Sequence, residues 1–310
     1  MLSLIDILRA LADPTRLRIA RLARRMELTV GELASVLEQS QPRVSRHVRI
    51  LGEAGLVERH KEGSWVFVRF AGGELAAHVG ALLDAAEPPE DDIGRLEAVR
   101  GERVEEAERY FADHAENWDR VRALHVADSE VEAAITKTLG SRPLGTLLDI
   151  GTGTGRMLEV LAPGASHAIG IDRSAEMLRA ARGKLEAAGL TQCQVRQGDM
   201  FALPQADASV DTVVLHHVLH FADRPHAAVA EAARVLSPGG RLLIADFAPH
   251  DREELRRNHA HVRLGFADEQ MKSWLEKAGL RPHAPQHLEG PLTVTIWLAE
   301  SPDRTVGAAA

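Results

Sequence analysis

The chain has 310 residues, 45% of them apolar, with a formal net charge of −8 and a single cysteine, Cys193. This length suits about two domains with cores of their own, and no apolar run is long enough to span a bilayer. One cysteine rules out a disulfide framework or a cysteine-rich metal site; with a start that does not read as a secretion signal, the cytoplasm is the expected compartment.

Charge is unevenly spread. Residues 1–86 hold 12 Lys/Arg against 10 Asp/Glu, leaving 25 against 35 for the rest. A slightly basic front suits phosphate contact, whereas the acidic remainder should avoid it.

In chain order, "LSLIDILRAL" spaces Leu4, Ile5, Leu8 and Leu11 as a helix face. "DPTRLRIARLARR" opens on Asp13 as a cap with Pro14 in the first turn. "TVGELASVLE" sets Thr29 and Glu32 at capping-box spacing. A helix over 41–54 follows, with Ser40 as its cap and Gly55 as a left-handed stop. Two short strands, Val57–His60 and Trp65–Phe70, flank Glu62-Gly63, and a helix runs over Glu74–Ala85. "EPPEDDIG" reads as an exposed linker. Helices are predicted over Glu102–Leu124 and Ser129–Leu139. Thereafter strands at Thr146–Ile150, His167–Ile171, Gln194–Gln197, Thr212–His216, Arg241–Phe247 and Thr293–Ala299 alternate with helices such as Glu176–Ala188 and Pro225–Val235. That alternation predicts a mostly parallel sheet covered on both faces. The tail "SPDRTVGAAA" is expected to fray.

Helix, turn, helix and hairpin in this order make a winged helix-turn-helix. On the 41–54 helix, Val44, Val48 and Leu51 face inward, while Gln41, Arg43, Ser45, Arg46, His47 and Arg49 are candidates for reading DNA. Arginine can grip guanine O6 and N7 with two donors, and glutamine can pair with adenine. Arg59 and Lys61 would serve a wing.

"LADPTRLRIARLA", "ELASVLEQSQPRVSRHVRILGEAGLVE" and "EGSWVFVRF" resemble the ArsR family of bacterial repressors. The resemblance implies a homodimer built through the first and last helices of the domain, set on a palindromic DNA operator. The protein would then be nucleoid-associated when bound. This chain departs from the metal-sensing branch. "MELTVGELA" lacks cysteines, and His78 and Asp84 fall on different faces of the last helix, so no metal is expected.

In "LLDIGTGTGR" the glycines stand at 151, 153 and 155, and Arg156 occupies the place of a dinucleotide fingerprint's third glycine. A nicotinamide or flavin dinucleotide is therefore disfavoured. Asp172 closes the second strand, where a carboxylate can accept from both ribose hydroxyls. Asp199 follows the third, where it can accept from an adenine amino group beside the Met200 backbone. Asp172 could instead cap the helix that "DRSAEM" starts, and Asp199 could cap a turn. Thr152 or Thr154 could add a hydroxyl.

This order, with "SVDTVVLHHVLHF", "VLSPGGRLLIADF" and "GFADEQMKSWLEKAGL", resembles the class I S-adenosylmethionine-dependent methyltransferases. The resemblance implies a seven-stranded Rossmann-like sheet with its last strand antiparallel. It implies a pocket of Asp149, Gly151, Thr152, Gly153, Gly155, Asp172, Arg173, Asp199, Met200 and His216. Tyr110, in "YFADHAENWD" with Trp118, would fold over the ligand.

The expected class is a two-domain α+β chain. A winged helix-turn-helix spans 1–86, a linker 87–101, a helical cap 102–143, a methyltransferase-like domain 144–300 and a tail 301–310. The chain reads as an ArsR-type regulator whose second domain binds S-adenosylhomocysteine or S-adenosylmethionine as an effector of operator binding. A sensing role without catalysis is favoured, because no acceptor-site residue stands out. The alternative is an active small-molecule methyltransferase carrying a DNA-binding domain. No catalytic residue is assigned. His216, His217, His220, His259 and His261 are candidate bases, and a pair of them could take a metal.

Overall fold

The computed structural model describes residues 4–62, 64–72, 74–85, 89–114 and 128–303. They divide into two compact units, Met1–Glu106 and Ala107–Ala310. Trp118, Gly63 and residues 304–310 of the tail lie outside the described residues.

In the first unit α1 (Leu4–Leu11), α2 (Pro14–Arg25), β1 (Leu28–Thr29), α3 (Val30–Leu37) and α4 (Gln41–Glu53) precede a hairpin of β2 (Val57–Glu62) and β3 (Trp65–Phe70). Then come α5 (Glu74–Asp84) and α6 (Glu90–His114). The strands form one antiparallel sheet in the order β1-β3-β2.

Local chemistry sets these boundaries. The Asp13 carboxylate accepts the Arg16 N–H at 2.9 Å and caps α2. Thr29 and Glu32 make both halves of the capping box that opens α3. Ser40 stands at the α4 N-cap but makes no side-chain cap bond there. That helix stops where Gly55 turns left-handed, φ 65°, and the Leu56 N–H reaches the Leu51 carbonyl at 3.0 Å. Val44, Val48 and Leu51 are buried with Ile19, Leu22, Leu33 and Leu37 in one core. Burying each side chain of that size contributes roughly 1.5–3 kcal/mol.

The stretch expected as a linker behaves otherwise. From Glu90 onward it is helix, and Leu96 is buried in the first unit's core with Val99 packed against it. Arg18 donates to both oxygens of buried Asp92, at 2.7 and 2.5 Å. Charge and proline content suggest a spacer, but a spacing of apolar residues three apart outweighs them. The predicted helix start at Glu102 therefore moves back to Glu90.

The second unit holds the carboxyl-terminal end of α6. It continues with α7 (Asp128–Leu139), β4 (Gly145–Ile150), α8 (Arg156–Leu161), β5 (Ala165–Asp172), α9 (Ala175–Ala187) and β6 (Cys193–Gln197). After these follow β7 (Val210–His216), α10 (Pro225–Val235), β8 (Leu236–Phe247), α11 (Glu253–Asn258) and α12 (Asp268–Lys277). Three strands close the chain, β9 (Arg281–Pro282), β10 (Gln286–Leu288) and β11 (Val294–Glu300). The sheet order is β10-β11-β8-β7-β4-β5-β6, with β9 also on β11. β4 to β8 run parallel and β11 antiparallel. Eight strands thus replace the expected seven, because two short strands, β9 and β10, share the outer edge of β11.

The central strands are apolar throughout. Leu147, Leu148, Val213, Val214, Leu215, Leu242, Leu243 and Ile244 are all fully buried. A parallel sheet covered on both faces requires this. The strands' carboxyl ends carry the polar residues.

Asp92→Ala removes the acceptor of a two-pronged charged bond and leaves Arg18 unpaired. It is expected to lower the stability of the full chain by about 1–3 kcal/mol, read as a shift in the first urea-unfolding transition.

Candidate functional site

On the first unit, Gln41, Arg43, Ser45, Arg46 and Arg49 line the exposed side of α4. Arg43 and Arg46 stand toward its amino-terminal half. Arg49 is engaged by Glu53 one turn on, at 2.9 Å. His47 is half-buried and leans toward the Asp13 cap, 3.8 Å away. Burial, with Arg16, Arg43 and Arg46 nearby, lowers its pKa despite Asp13. It therefore faces the α2 cap as a neutral ring more than it faces outward. Arg59 and Lys61 are exposed on β2, and the Arg59 side chain lies against α4 at Gly52. Asp84 is held by Arg24 at 2.8 and 2.5 Å.

On the second unit the glycine turn follows β4. Gly151 and Thr152 donate their N–H groups to the Ile171 carbonyl, at 2.7 and 3.0 Å. The Gly153 N–H donates to Asp172 Oδ2 at 2.8 Å, and Ser174 N–H to Oδ1 at 2.8 Å. Ser174, rather than Asp172, caps α9. The aspartate thus ties the end of β5 to the turn. Burial raises its pKa, and the N–H donors of Ser174, Gly153 and Arg173 offset part of that rise.

Gly151 has φ 72°, and a Cβ there would lie 2.2 Å from Val218 Cγ2. The turn therefore passes directly under the segment that follows β7. Gly153, at φ 53°, and Gly155, which opens α8 at φ 83°, also take left-handed backbone. Thr152 Oγ1 donates to buried Asp149 at 2.6 Å, and Lys184 Nζ donates to Thr154 Oγ1 at 3.1 Å.

The Gly198 N–H donates to the Asp172 carbonyl at 3.0 Å, bringing the ends of β5 and β6 together. Asp199 beyond it is exposed, with Oδ1 accepting the Phe201 N–H at 2.9 Å. Met200 is half-buried against the core. Arg173 is exposed, and its carbonyl accepts from Gln197. Asp149, Gly151, Thr152, Gly153, Asp172 and Asp199 thus converge at neighbouring strand ends, where open α/β sheets bind ligands.

Tyr110 is anchored by its neighbours at the end of α6. Its hydroxyl meets His259 Nδ1 at 2.9 Å, its ring lies 4.3 Å from His114, and burial pushes its pKa up to about 12. Next to it, Phe111 packs edge-on against Phe221 at 4.8 Å.

The histidines are closer together than strand alternation implies. β7 ends at His216, and His217 takes φ 51°, so the two rings lie 4.5 Å apart instead of on opposite faces. His220 Nδ1 is 2.7 Å from Asp246 Oδ1, both groups being buried. The same carboxylate accepts the N–H groups of Leu219, His220 and Phe247. Burial works against its charge, but His220, His217 and the Phe247 N–H hold its pKa below the usual carboxylate range. Asp246 escaped the sequence reading. Its signal is an acid at the end of the apolar run "RLLIADF", since a buried charge needs partners.

Ligand-type atoms of His217, His220 and Asp246 lie within 4.8 Å of one another. Four protein donors already occupy the carboxylate, so it has no lone pair to spare for a metal ion. His250 is pushed down to about 4 by burial, then by His220 and Arg256.

The fold and the strand-end turn define a class I methyltransferase domain, and comparison with known proteins agrees. Residues 148–244 match the methyltransferase domain model, and residues 13–59 match the bacterial regulatory protein, arsR family. The chain is 32% identical over 126 residues to an uncharacterized methyltransferase, YcgJ, of Bacillus subtilis, covering 40% of this chain and 50% of that one. It is 30% identical over 152 residues to the demethylmenaquinone methyltransferase of Tropheryma whipplei, covering 48% and 62%. The chain therefore spans between half and two thirds of the length of these relatives. The crystal structure of YcgJ superposes with a TM-score of 0.52 at 20% identity, over 56% of this chain and 99% of that one. The chain thus joins an ArsR-type winged helix-turn-helix domain to a class I S-adenosylmethionine-dependent methyltransferase domain.

That fold implies binding of S-adenosylmethionine or S-adenosylhomocysteine, and the left-handed glycines beside Asp172 fit a nucleoside with an amino-acid tail. The similarity to methyltransferases overturns the expectation of a sensor without catalysis. That expectation arose because no acceptor-site residue stands out in the sequence.

Gly151→Ala would place a methyl against Val218 in a backbone region that alanine disfavours. A loss of about 1–3 kcal/mol is expected in urea unfolding, and adding Val218→Ala should recover part of it.

Proposed function

We propose that the chain is a working S-adenosylmethionine-dependent methyltransferase for small molecules, carried on an ArsR-type DNA-binding dimer. The observation that carries this reading is the glycine turn bonded to Asp172 in a domain similar to named methyltransferases. In this reading Asp172 accepts from the ribose hydroxyls with the lone pairs its backbone donors leave over. Asp199 and the Met200 backbone receive the adenine, and Asp149, Gly151, Thr152, Gly153 and Gly155 cradle the amino-acid tail. Arg173 and His216 border this pocket, and Tyr110 belongs to its cover. The bound cofactor supplies an electrophilic methyl group, and the chain's part is to align an acceptor with it and exclude water.

Relatives named for demethylmenaquinone, ubiquinone/menaquinone and malonyl-acyl-carrier-protein methylation point to a small organic acceptor. On the first unit, Arg43, Ser45, Arg46 and Gln41 would read the major groove, with Arg49, Arg59 and Lys61 on phosphate. Ile5 and Leu8 on α1 and Leu82 on α5 are large apolar side chains at 58%, 54% and 71% exposure. These residues would form the dimer face. Cofactor binding would also shift operator affinity, a tenfold change needing about 1.4 kcal/mol of coupling.

Incubation with methyl-labelled cofactor and a panel of quinols, phenols and carboxylates should label a product. Binding of S-adenosylhomocysteine with no transfer to any acceptor would count against the reading. Asp172→Ala should weaken that binding at least tenfold by calorimetry while leaving basal, cofactor-free operator binding nearly intact, and Arg46→Ala should do the reverse. Leu82→Glu should convert dimer to monomer in sedimentation and lower operator affinity with it.

A further inference from the structure

The buried pair of His220 and Asp246 lies outside the residues proposed above to hold the cofactor. Val218, whose Cγ2 bears on Gly151, is two residues before His220. The pair therefore sits at the carboxyl ends of β7 and β8, the same end of the sheet from which the glycine turn leaves β4.

Its chemistry is one-directional. The Asp246 carboxylate accepts three backbone N–H groups and is held ionised, so it can only accept from His220. Nδ1 therefore carries a proton, and Nε2 is the nitrogen with a lone pair. A carboxylate that orients an imidazole and stabilises its protonated form is the arrangement a general base requires. Such an elaborate anchor exceeds what ring packing needs, because burying an ionised acid is costly unless its bonds are used.

The surroundings define the acceptor. His220 stacks on His261 at 4.1 Å, and Phe221 and Phe247 lie 4.1 and 5.1 Å away. Phe111 closes on Phe221 from α6. An aromatic neighbourhood of this kind favours a planar ring over an aliphatic acceptor. A base is needed when the atom to be methylated bears a proton that must leave, as on a hydroxyl or an enol. A neutral amine attacks without one.

We infer that His220, oriented by Asp246, is the general base for a planar acceptor bearing a phenolic or enolic hydroxyl. The O–H proton passes to His220 Nε2 as the acceptor's electron pair forms the new bond to the methyl carbon, at oxygen or at the conjugated ring carbon. The sulfur–methyl bond breaks with its electron pair kept on sulfur. His220 ends as an imidazolium beside the Asp246 anion and returns its proton to water. His220 is then a catalytic residue and Asp246 a positioning residue. The inference rests on the methyltransferase reading above.

Other groups around the ring bear on its titration. His217 on the β7 side lies 6.1 Å from it, His261 stacks on it, and His250 beyond β8 couples to it. Asp246 is the acid that faces it, bonded at Nδ1.

The test combines nitrogen NMR of the full chain with kinetics on an acceptor that the wild type methylates. His220 is expected as the Nδ1–H tautomer, with a downfield Nδ1 proton that Asp246→Asn abolishes. Its titration should coincide with the low-pH limb of kcat/KM. His220→Gln should lower kcat about 10²–10⁴-fold while S-adenosylhomocysteine binding stays within twofold. Asp246→Asn should lower kcat less and move the low-pH limb. An Nε2–H tautomer, a His220→Gln variant with kcat within threefold of wild type, or a stoichiometric metal ion whose chelation stops turnover would each overturn the inference. A wild type that binds S-adenosylhomocysteine but methylates no acceptor would instead defeat the underlying reading, and NMR would then report the tautomer alone.

Discussion

The hydrogen bond from the Gly153 N–H to Asp172 is the constraint on which the second unit's chemistry depends. It joins the turn after β4 to the end of β5, and the Asp172 carbonyl in turn receives Gly198 at the end of β6. One residue thus holds three strand ends in register through both its side chain and its backbone. The turn can lie so close only because it lacks side chains, since a methyl at Gly151 would collide with Val218. Close packing of turn against strand end therefore sets where a ligand can enter and where it cannot.

The same economy recurs at the ends of β7 and β8. Asp246 ends an apolar strand, gathers three backbone donors and orients His220. A buried carboxylate in so dry a setting is tolerable only when every lone pair is used. That saturation argues against metal chelation by the His217, His220 and Asp246 group, because a metal would need a lone pair already taken.

The first unit obeys a simpler physics. Its caps and its buried valines and leucines make a rigid support, and the support presents arginines on one helix face. Asp92 extends the support by drawing the start of α6 onto α2 through Arg18. His47 is turned back toward Asp13, so the exposed face owes more to Arg43 and Arg46 than helical spacing alone suggests.

The sequence by itself determined both domain types, the main strands and helices, the caps at Asp13 and Thr29, and the convergence of the glycine turn with Asp172. These rest on local periodicity, on cap chemistry, and on motifs whose residues lie close in the chain or at successive strand ends. The tertiary structure alone decided the rest. It turned the presumed linker into helix, because burial of Leu96 cannot be seen in local charge. Backbone conformation at His217 likewise brought two histidine rings together that alternation would separate. Finally, it paired His220 with Asp246 across 26 residues, a contact set by the parallel packing of two strands and therefore invisible to any reading of neighbours along the chain.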